Sequence, residues 1–218
     1  MSTFDEREAA FIAAVTASAT HELRNVLAIV KESAGLIEDL TQSGAGRGAP
    51  DPARVLRCTE RIATQVARGA ELLTGLNRFA HGLEHPTARL QLDQEIRLAA
   101  LLDQRLVRQR GHTVAVRAGD PDLMIRANPL RLQMALFAAL ECSAERLAEP
   151  GVLTLRAATH EGRPAVEIAV EATEGGPTAG APPGWDRVVQ LVESLGGSVE
   201  AADPGRRFRL HWPAASRD

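Results

Sequence analysis

Residues 3 to 42 carry apolar side chains at Ile12, Val15, Leu23, Val26, Val30, Ile37 and Leu40, with an Ala-rich turn around Ala19 filling the widest gap. Spacings of three, four and seven are the period of a single amphipathic helix. Forty residues at about 1.5 Å each make a rod of roughly 60 Å, far longer than a compact domain needs. The run TQSGAGRGAPD, rich in Gly, Ser and Pro, ends it. A second helix is expected where Asp51 can cap and Pro52 can occupy the first helical position, continuing through Val55, Ile62, Val66, Leu72, Leu73 and Leu76 to about Phe79. The short connection makes the pair an antiparallel hairpin. Two helices cannot enclose a core, so the expected solution is a second copy of the chain and a homodimeric four-helix bundle.

The segment HGLEHPT, residues 81 to 87, breaks this pattern and reads as a linker. The chain therefore divides into a helical hairpin over 1–80 and a second unit over 88–218. In that second unit, alternation at Arg89 to Leu92 precedes a helix from about Asp93 to Arg110 and strand-like runs at 113–117 and 122–126. Asn128 followed by Pro129 opens a helix to about Leu147. Strands at 152–159 and 165–172 flank the turn HEGRP, and a helix from about Trp185 stops at Gly196 and Gly197 before two closing strands. The expected class is α+β: a helical hairpin followed by a two-layer α/β sandwich built on one sheet.

Composition narrows the function. Twenty-five basic against 28 acidic residues give a formal charge of −3 and a pI near 6.1, which supplies no long-range attraction for nucleic acid or for an anionic membrane. No run approaches the roughly 20 apolar residues of a membrane span, and MSTFDERE lacks the features of a signal peptide, so a cytoplasmic location is expected. Cys58 and Cys142, far apart and without CxxC spacing, read as buried reduced thiols.

The residue with the most accessible chemistry is His21, in ATHELRNVLAIV. It lies two residues, or about 200°, from the apolar position Leu23 and should point to solvent. Glu22 follows it, and Asn25 shares its face four residues on. A neutral imidazole so placed is a competent phosphoryl acceptor, with neighbours able to orient the ring or a water. The other histidines give no metal-binding pair: His81 and His85 fall in the linker, His112 and His160 near strand ends, and His211 alternates in the last strand.

HELRN, early in a long helix that is followed by a second, resembles the H box of sensor histidine kinases. ANPLRLQMALFAALECSAERL resembles the N-box helix of their ATP-binding domain, and VVQLVESLGGSVEAADPGRRFRLHWP resembles that domain's closing helix, double glycine, strands and F-x-x-x-x-P ending. The resemblance runs from about Thr16 to Pro213. The departures from it are specific. Where the family's N box has two asparagines, one of them a magnesium ligand, this chain has Ala138 and Cys142. The adenine-binding aspartate falls near Ala172, where only Gly175 and Gly176 survive of the glycine motif. The second glycine box matches PPGW, with Pro182 in place of a glycine and Gly184 retained. A phosphate cradle needs free N–H groups, which Pro182 and Pro183 do not offer. A slipped alignment would leave Glu141 or Glu145 for the metal and Glu171 or Glu174 for the base.

A phosphoacceptor hairpin joined to a degenerate ATP-binding fold is closest in type to the dimeric histidine phosphotransferases. That resemblance implies a phosphorelay protein whose partners are the receiver domains of response regulators and of hybrid histidine kinases. His21 is then the phosphoacceptor, Glu22 an acid/base or orienting group, and Asn25 a water-orienting group. Arg24, Ala28, Ile29 and Glu32 are the expected docking positions, Ile29 being the anchor if it is not part of the bundle core. No cofactor is expected from the chain itself, Mg2+ being supplied by the partner receiver. Two other functions fit the same residues: a divergent but active histidine kinase, and a non-catalytic dimeric adaptor that sequesters a response regulator.

Overall fold

A computed structural model describes residues 3–43, 51–145, 147, 150–172, 184–203 and 206–215, with the side chains of 3–5, 43 and 172 left aside. The two long periodic runs form α1 (Thr3–Ser43) and α2 (Pro52–Gly82). Asp51 caps α2 as its sequence position requires: it is extended, and its carboxylate accepts from the Ala53 N–H at 3.0 Å. The helix runs past Phe79 into HGLEHPT, because Gly82 can still be helical. The chain leaves it after the Leu83 N–H has closed on the Ala80 carbonyl at 3.1 Å, three residues before Pro86. The connection over 44–50 lies outside the described residues.

β1 (Ala88–Gln91), α3 (Leu92–Gln109), β2 (Thr113–Val116), β3 (Met124–Ala127) and α4 (Pro129–Ala144) follow, then β4 (Gly151–His160), β5 (Arg163–Ala172), α5 (Trp185–Ser194), β6 (Ser198–Asp203) and β7 (Arg207–His211). The main sheet has the order β2-β4-β5-β7-β6, antiparallel except for the β2–β4 pair. The expectation of a single sheet is corrected here. β1 and β3 pair only with each other, as an antiparallel ribbon in register Leu90↔Ile125. Both of those side chains are buried in the core, and an isolated bridge from Ile125 to Ala214 takes up the second edge of β3, so the ribbon closes without joining the larger sheet. The β4–β5 turn puts Glu161 at φ 51° and Gly162 at φ 75°, the left-handed pair that a two-residue hairpin demands.

Alternation in the strands decides the faces of the main sheet. Leu153, Leu155, Val166, Ile168, Phe208 and Leu210 are buried beneath the helices, whereas Arg156, Glu167 and Arg209 lie on the opposite face. α4 is apolar on nearly every side and forms the centre of the core. Near its start the hairpin joins this core. Phe11 packs edge-on against Phe137 of α4, with ring centroids 5.0 Å apart, and against Phe79 of α2 at 6.0 Å. Around this apolar contact, Glu8 meets Arg131 at 2.8 Å and Arg78 meets Glu95 at 2.6 Å. Glu95 is buried and also accepts from Gln133 at 2.7 Å.

Val66 and Leu73, part of the apolar pattern of α2, are not among its buried positions. They are 56% and 51% exposed, and with Leu56, Thr59, Ala63 and Ala70, all exposed, they line a second stripe of α2 at alternating steps of three and four. Cys58 and Cys142 are buried and form no disulfide. No described helix is long and apolar enough to cross a membrane.

Candidate functional site

His21 lies in the middle of α1 and is exposed, and its ring makes no hydrogen bond or ion pair with another described residue. Positions three, four and seven further on share its side of the helix, and Arg24, Asn25 and Ala28 are all exposed there. The result is a continuous solvent-facing strip with a free imidazole at one end. Glu32 is exposed beyond it and meets Arg61 of α2 at 3.2 Å. Ile29 is turned toward the hairpin seam and half-buried, and its carbonyl accepts from the Ser33 hydroxyl at 2.8 Å. It is neither a fully exposed anchor nor fully core.

Glu22 points elsewhere. Its side chain is only 12% exposed, it accepts a hydrogen bond from Arg68 of α2, and it lies 3.7 Å from Arg108 of α3. The two cations are contributed by elements distant in sequence, and nothing in HELRN announces them. They hold the carboxylate between the hairpin and the sandwich.

At the positions matching the N box, Ala138 and Cys142 are buried on α4. Ala138 borders a cleft of about 470 Å³ whose far wall is α1 itself, through Arg7, Phe11 and Val15, with Glu141 and Arg187 at its rim. Burial first, then the nearby carboxylates of Glu145 and Glu141, push the Cys142 thiol up to about 11, so it stays protonated and is a poor ligand or nucleophile. Gly184, left-handed at φ 80°, opens α5 with its backbone close to Cys142: an added Cβ there would lie 3.4 Å from the sulfur. The retained glycine thus sits against the position where the resemblance puts a metal ligand.

Of the alternative carboxylates, those of Glu145 and Glu171 are engaged by arginines, whereas at Glu141 it is the backbone carbonyl that is held. Arg110 donates to the Glu141 carbonyl at 3.1 Å and pairs with the Glu145 carboxylate at 3.1 Å, and Glu171 meets Arg117 at 3.5 Å. Ala172 ends β5 opposite Gly151. Its side chain, together with Glu174, Gly175, Gly176, Pro182 and Pro183, lies outside the described residues.

Sequence reasoning missed two groupings. Asp103 of α3 is fully buried, and neither of its carboxyl oxygens has a hydrogen-bond partner among the described residues. Burial, reinforced by Glu141 and opposed by Arg110, pushes its carboxyl up to about 8. The second grouping is on the outer face of the main sheet, where His160, Glu200 and His211 converge with ligand atoms all within 4.8 Å of one another. Spacing along the sequence did not bring these three side chains together. The signal was the strand period: once β6 and β7 pair with Ser198 opposite His211, Glu200 must share a face with His211. The register shift between Ala201 and Asp203 hid that pairing from sequence spacing.

No family model matches the chain, and no curated protein matches it. Among solved structures it is similar to the nucleotide-free catalytic domain of histidine kinase ThkA, at 15% identity over 59% of this chain and 97% of that one, with a TM-score of 0.47. It is also similar to the cytoplasmic segment of histidine kinase QseC, at 14% identity over 69% and 95% of the two chains and a TM-score of 0.47. Similarity to the Acinetobacter baumannii histidine kinase AdeS covers 90% of this chain and 98% of that one, at 14% identity and a TM-score of 0.46.

Proposed function

We propose that this chain is a histidine phosphotransfer protein that passes phosphoryl groups between receiver domains through His21, as a homodimer and without using ATP. The observation that carries the reading is the contrast between two sites. His21 is exposed and unpartnered on an open helical strip, while Ala138 and Cys142 replace the N-box asparagines and are buried.

In the forward step a ring nitrogen of His21 attacks the phosphorus of a receiver aspartyl phosphate. The P–N bond forms as the P–O bond to the aspartate breaks, and the ring N–H proton is released from the opposite nitrogen or shared with water. The magnesium ion that neutralises the phosphoryl oxygens belongs to the receiver. Donation to a second receiver is the reverse of the same displacement. This chain supplies a presented nucleophile and a docking strip, so positioning provides most of its catalysis. Asn25, on the same face as His21, is placed to orient a water toward the phosphorylated ring, and Arg24 to meet a phosphoryl oxygen or an acidic rim. Ala28, Ile29 and Glu32 extend the strip along α1 as docking positions.

The exposed stripe of α2 supports the dimer. Leu56, Val66 and Leu73 are each more than half exposed in the single chain, and the alternating steps of three and four are the spacing of a helix-bundle seam.

Transfer from a labelled receiver tests the proposal. Wild type should take up label in an acid-labile, base-stable form, and His21→Ala should take up none. An adaptor would bind the receiver without label. One observation favours the second reading, a divergent kinase: the cleft beside Ala138 carries Arg7 and Arg187, two cations that could meet phosphates. Calorimetric titration with Mg-ATP separates the two, because a kinase must bind it and become labelled at His21.

A further inference from the structure

We infer that His160, Glu200 and His211 form a binding site for a divalent transition-metal ion of the zinc type on the outer face of the main sheet. The site is separate from His21 and from the phosphotransfer proposed for it. Two imidazoles and a carboxylate, with a fourth position left to water, are a ligand set that zinc accepts.

Strand register builds the site. His211 lies opposite Ala165 on one side and Ser198 on the other. Glu200 is two residues beyond Ser198, and His160 is two residues beyond Ala158, which itself pairs with Ala165. A step of two keeps a side chain on the same face, so all three project outward from β4, β6 and β7. Only β5 separates His160 from His211, and its residue at that level, Ala165, is small enough for one ring to reach the other. The ring centroids are 5.5 Å apart.

The distances suit an ion. Glu200 Oε2 is 3.1 Å from His211 Nε2 and 3.9 Å from His160 Nδ1. Bonds of about 2.0–2.2 Å in a tetrahedral site put ligand atoms roughly 3.4 Å apart, and the three atoms lie within 4.8 Å of one another, so small side-chain rotations would bring them to the corners of one face. His160 Nδ1 supplies an independent indication: it is buried from water, makes no hydrogen bond with another described residue and faces the carboxylate. A buried ring nitrogen left without a partner is costly, and a shared cation would satisfy it.

The surroundings hold the carboxylate in place. Arg209 lies 3.5 Å from Oε1, the other oxygen of Glu200, and is itself 3.3 Å from Glu167, which offsets its charge. That contact leaves Oε2 directed at the two rings, a supporting role common around metal ligands. The Glu200 side chain is 45% exposed, so an ion can enter from solvent and keep a water. Bound there, the ion would clip β4 to the β6–β7 hairpin across the sheet.

The test uses the full chain, stripped with EDTA and titrated calorimetrically with zinc chloride, beside His160→Ala and Glu200→Gln. His211 is buried, so its replacement is avoided; the other two side chains reach solvent and should leave the fold intact. The expected result is one ion per chain in wild type and a weakening of at least about tenfold in each variant, the lower end of what lost metal-site contacts cost. Zinc should raise the thermal midpoint of wild type, and at the same concentration raise that of either variant by less. No binding in wild type at millimolar zinc would overturn the site. Full retention of affinity in either variant would do so too, because it would locate the ion elsewhere or remove one of the three ligands.

Discussion

The carboxylate of Glu22 lies 3.7 Å from the Arg108 guanidinium, so the residue that follows His21 is bound to the first helix of the sandwich. Arg68 of α2 holds it from the other side. One side chain therefore links α1, α2 and α3 at the level of His21. A carboxylate tied to two arginines on other helices fixes the rotation of α1 and with it the direction of His21.

Glu22→Gln should accordingly lose stability before it loses chemistry. Both arginines are partly exposed, which limits the loss to on the order of 1 kcal/mol, or roughly 2–4 °C in thermal midpoint for a chain of this size. Phosphoryl uptake should stay within about tenfold of wild type, the low side of what removing a general acid or base costs. Uptake reduced beyond about a hundredfold at an unchanged midpoint would instead make Glu22 the acid/base group that the family resemblance implies.

Phe11→Ala tests the apolar half of the same junction. Its ring fills the space between Phe137 and Phe79, and removing a buried aromatic ring costs about 3–5 kcal/mol. Urea unfolding of the variant should show a loss of that size. A loss below about 1 kcal/mol would mean that the hairpin and the sandwich are coupled by their ion pairs alone.

The sequence foretold the elements better than their assembly, and the reason is the range of the forces involved. Helix period, the Asp51-Pro52 and Asn128-Pro129 caps and strand alternation are local, and each could be read within a few residues. His21 was legible for the same reason, since exposure follows from its angle to Leu23. What stayed hidden depends on partners remote in sequence. Arg68 and Arg108 reach Glu22 only once three helices have packed. His160, Glu200 and His211 meet only when three strands are in register. The separate β1–β3 ribbon depends likewise on Ala214 bridging to Ile125.

Ile29→Glu should block transfer. The side chain is half-buried on α1, two turns beyond His21 and next to the exposed strip of Ala28 and Glu32. A carboxylate there opposes an apolar receiver surface at the docking site, so uptake should fall by more than about tenfold, one decade for each 1.4 kcal/mol of lost docking energy. Sedimentation should still give a dimer. A monomeric variant would show that Ile29 belongs to the core of the bundle.

Val66→Asp with Leu73→Asp should break the dimer. Both residues are on the exposed stripe of α2, away from α1, and the chain alone does not need them for its core. Charges facing their own copies across a two-fold seam are strongly unfavourable. The double variant should sediment as a monomer with near-native helicity. A variant that remained dimeric would move the seam to another face, with Leu27, at 67% exposure, the first alternative.

Asp103 makes stability depend on pH in a direction opposite to that of a salt-bridged carboxylate. Its folded-state value is pushed up to about 8 from an ordinary 3.8, first by burial and then by Glu141, with Arg110 opposing. Between those two values the folded chain holds a proton that the unfolded chain has released, so stability falls as pH rises, by up to about 1.4 kcal/mol per pH unit. Below 3.8 the group is protonated in both states and the contribution is level; above about 8 it is ionised in both and level again. Asp103→Asn cannot ionise, so its advantage over wild type should be small at pH 4 and grow to on the order of a few kcal/mol by pH 8. Urea unfolding of both proteins across that range gives the difference directly, and two parallel stability curves would show that Asp103 is ionised in the folded chain and that the arginine, not burial, governs it.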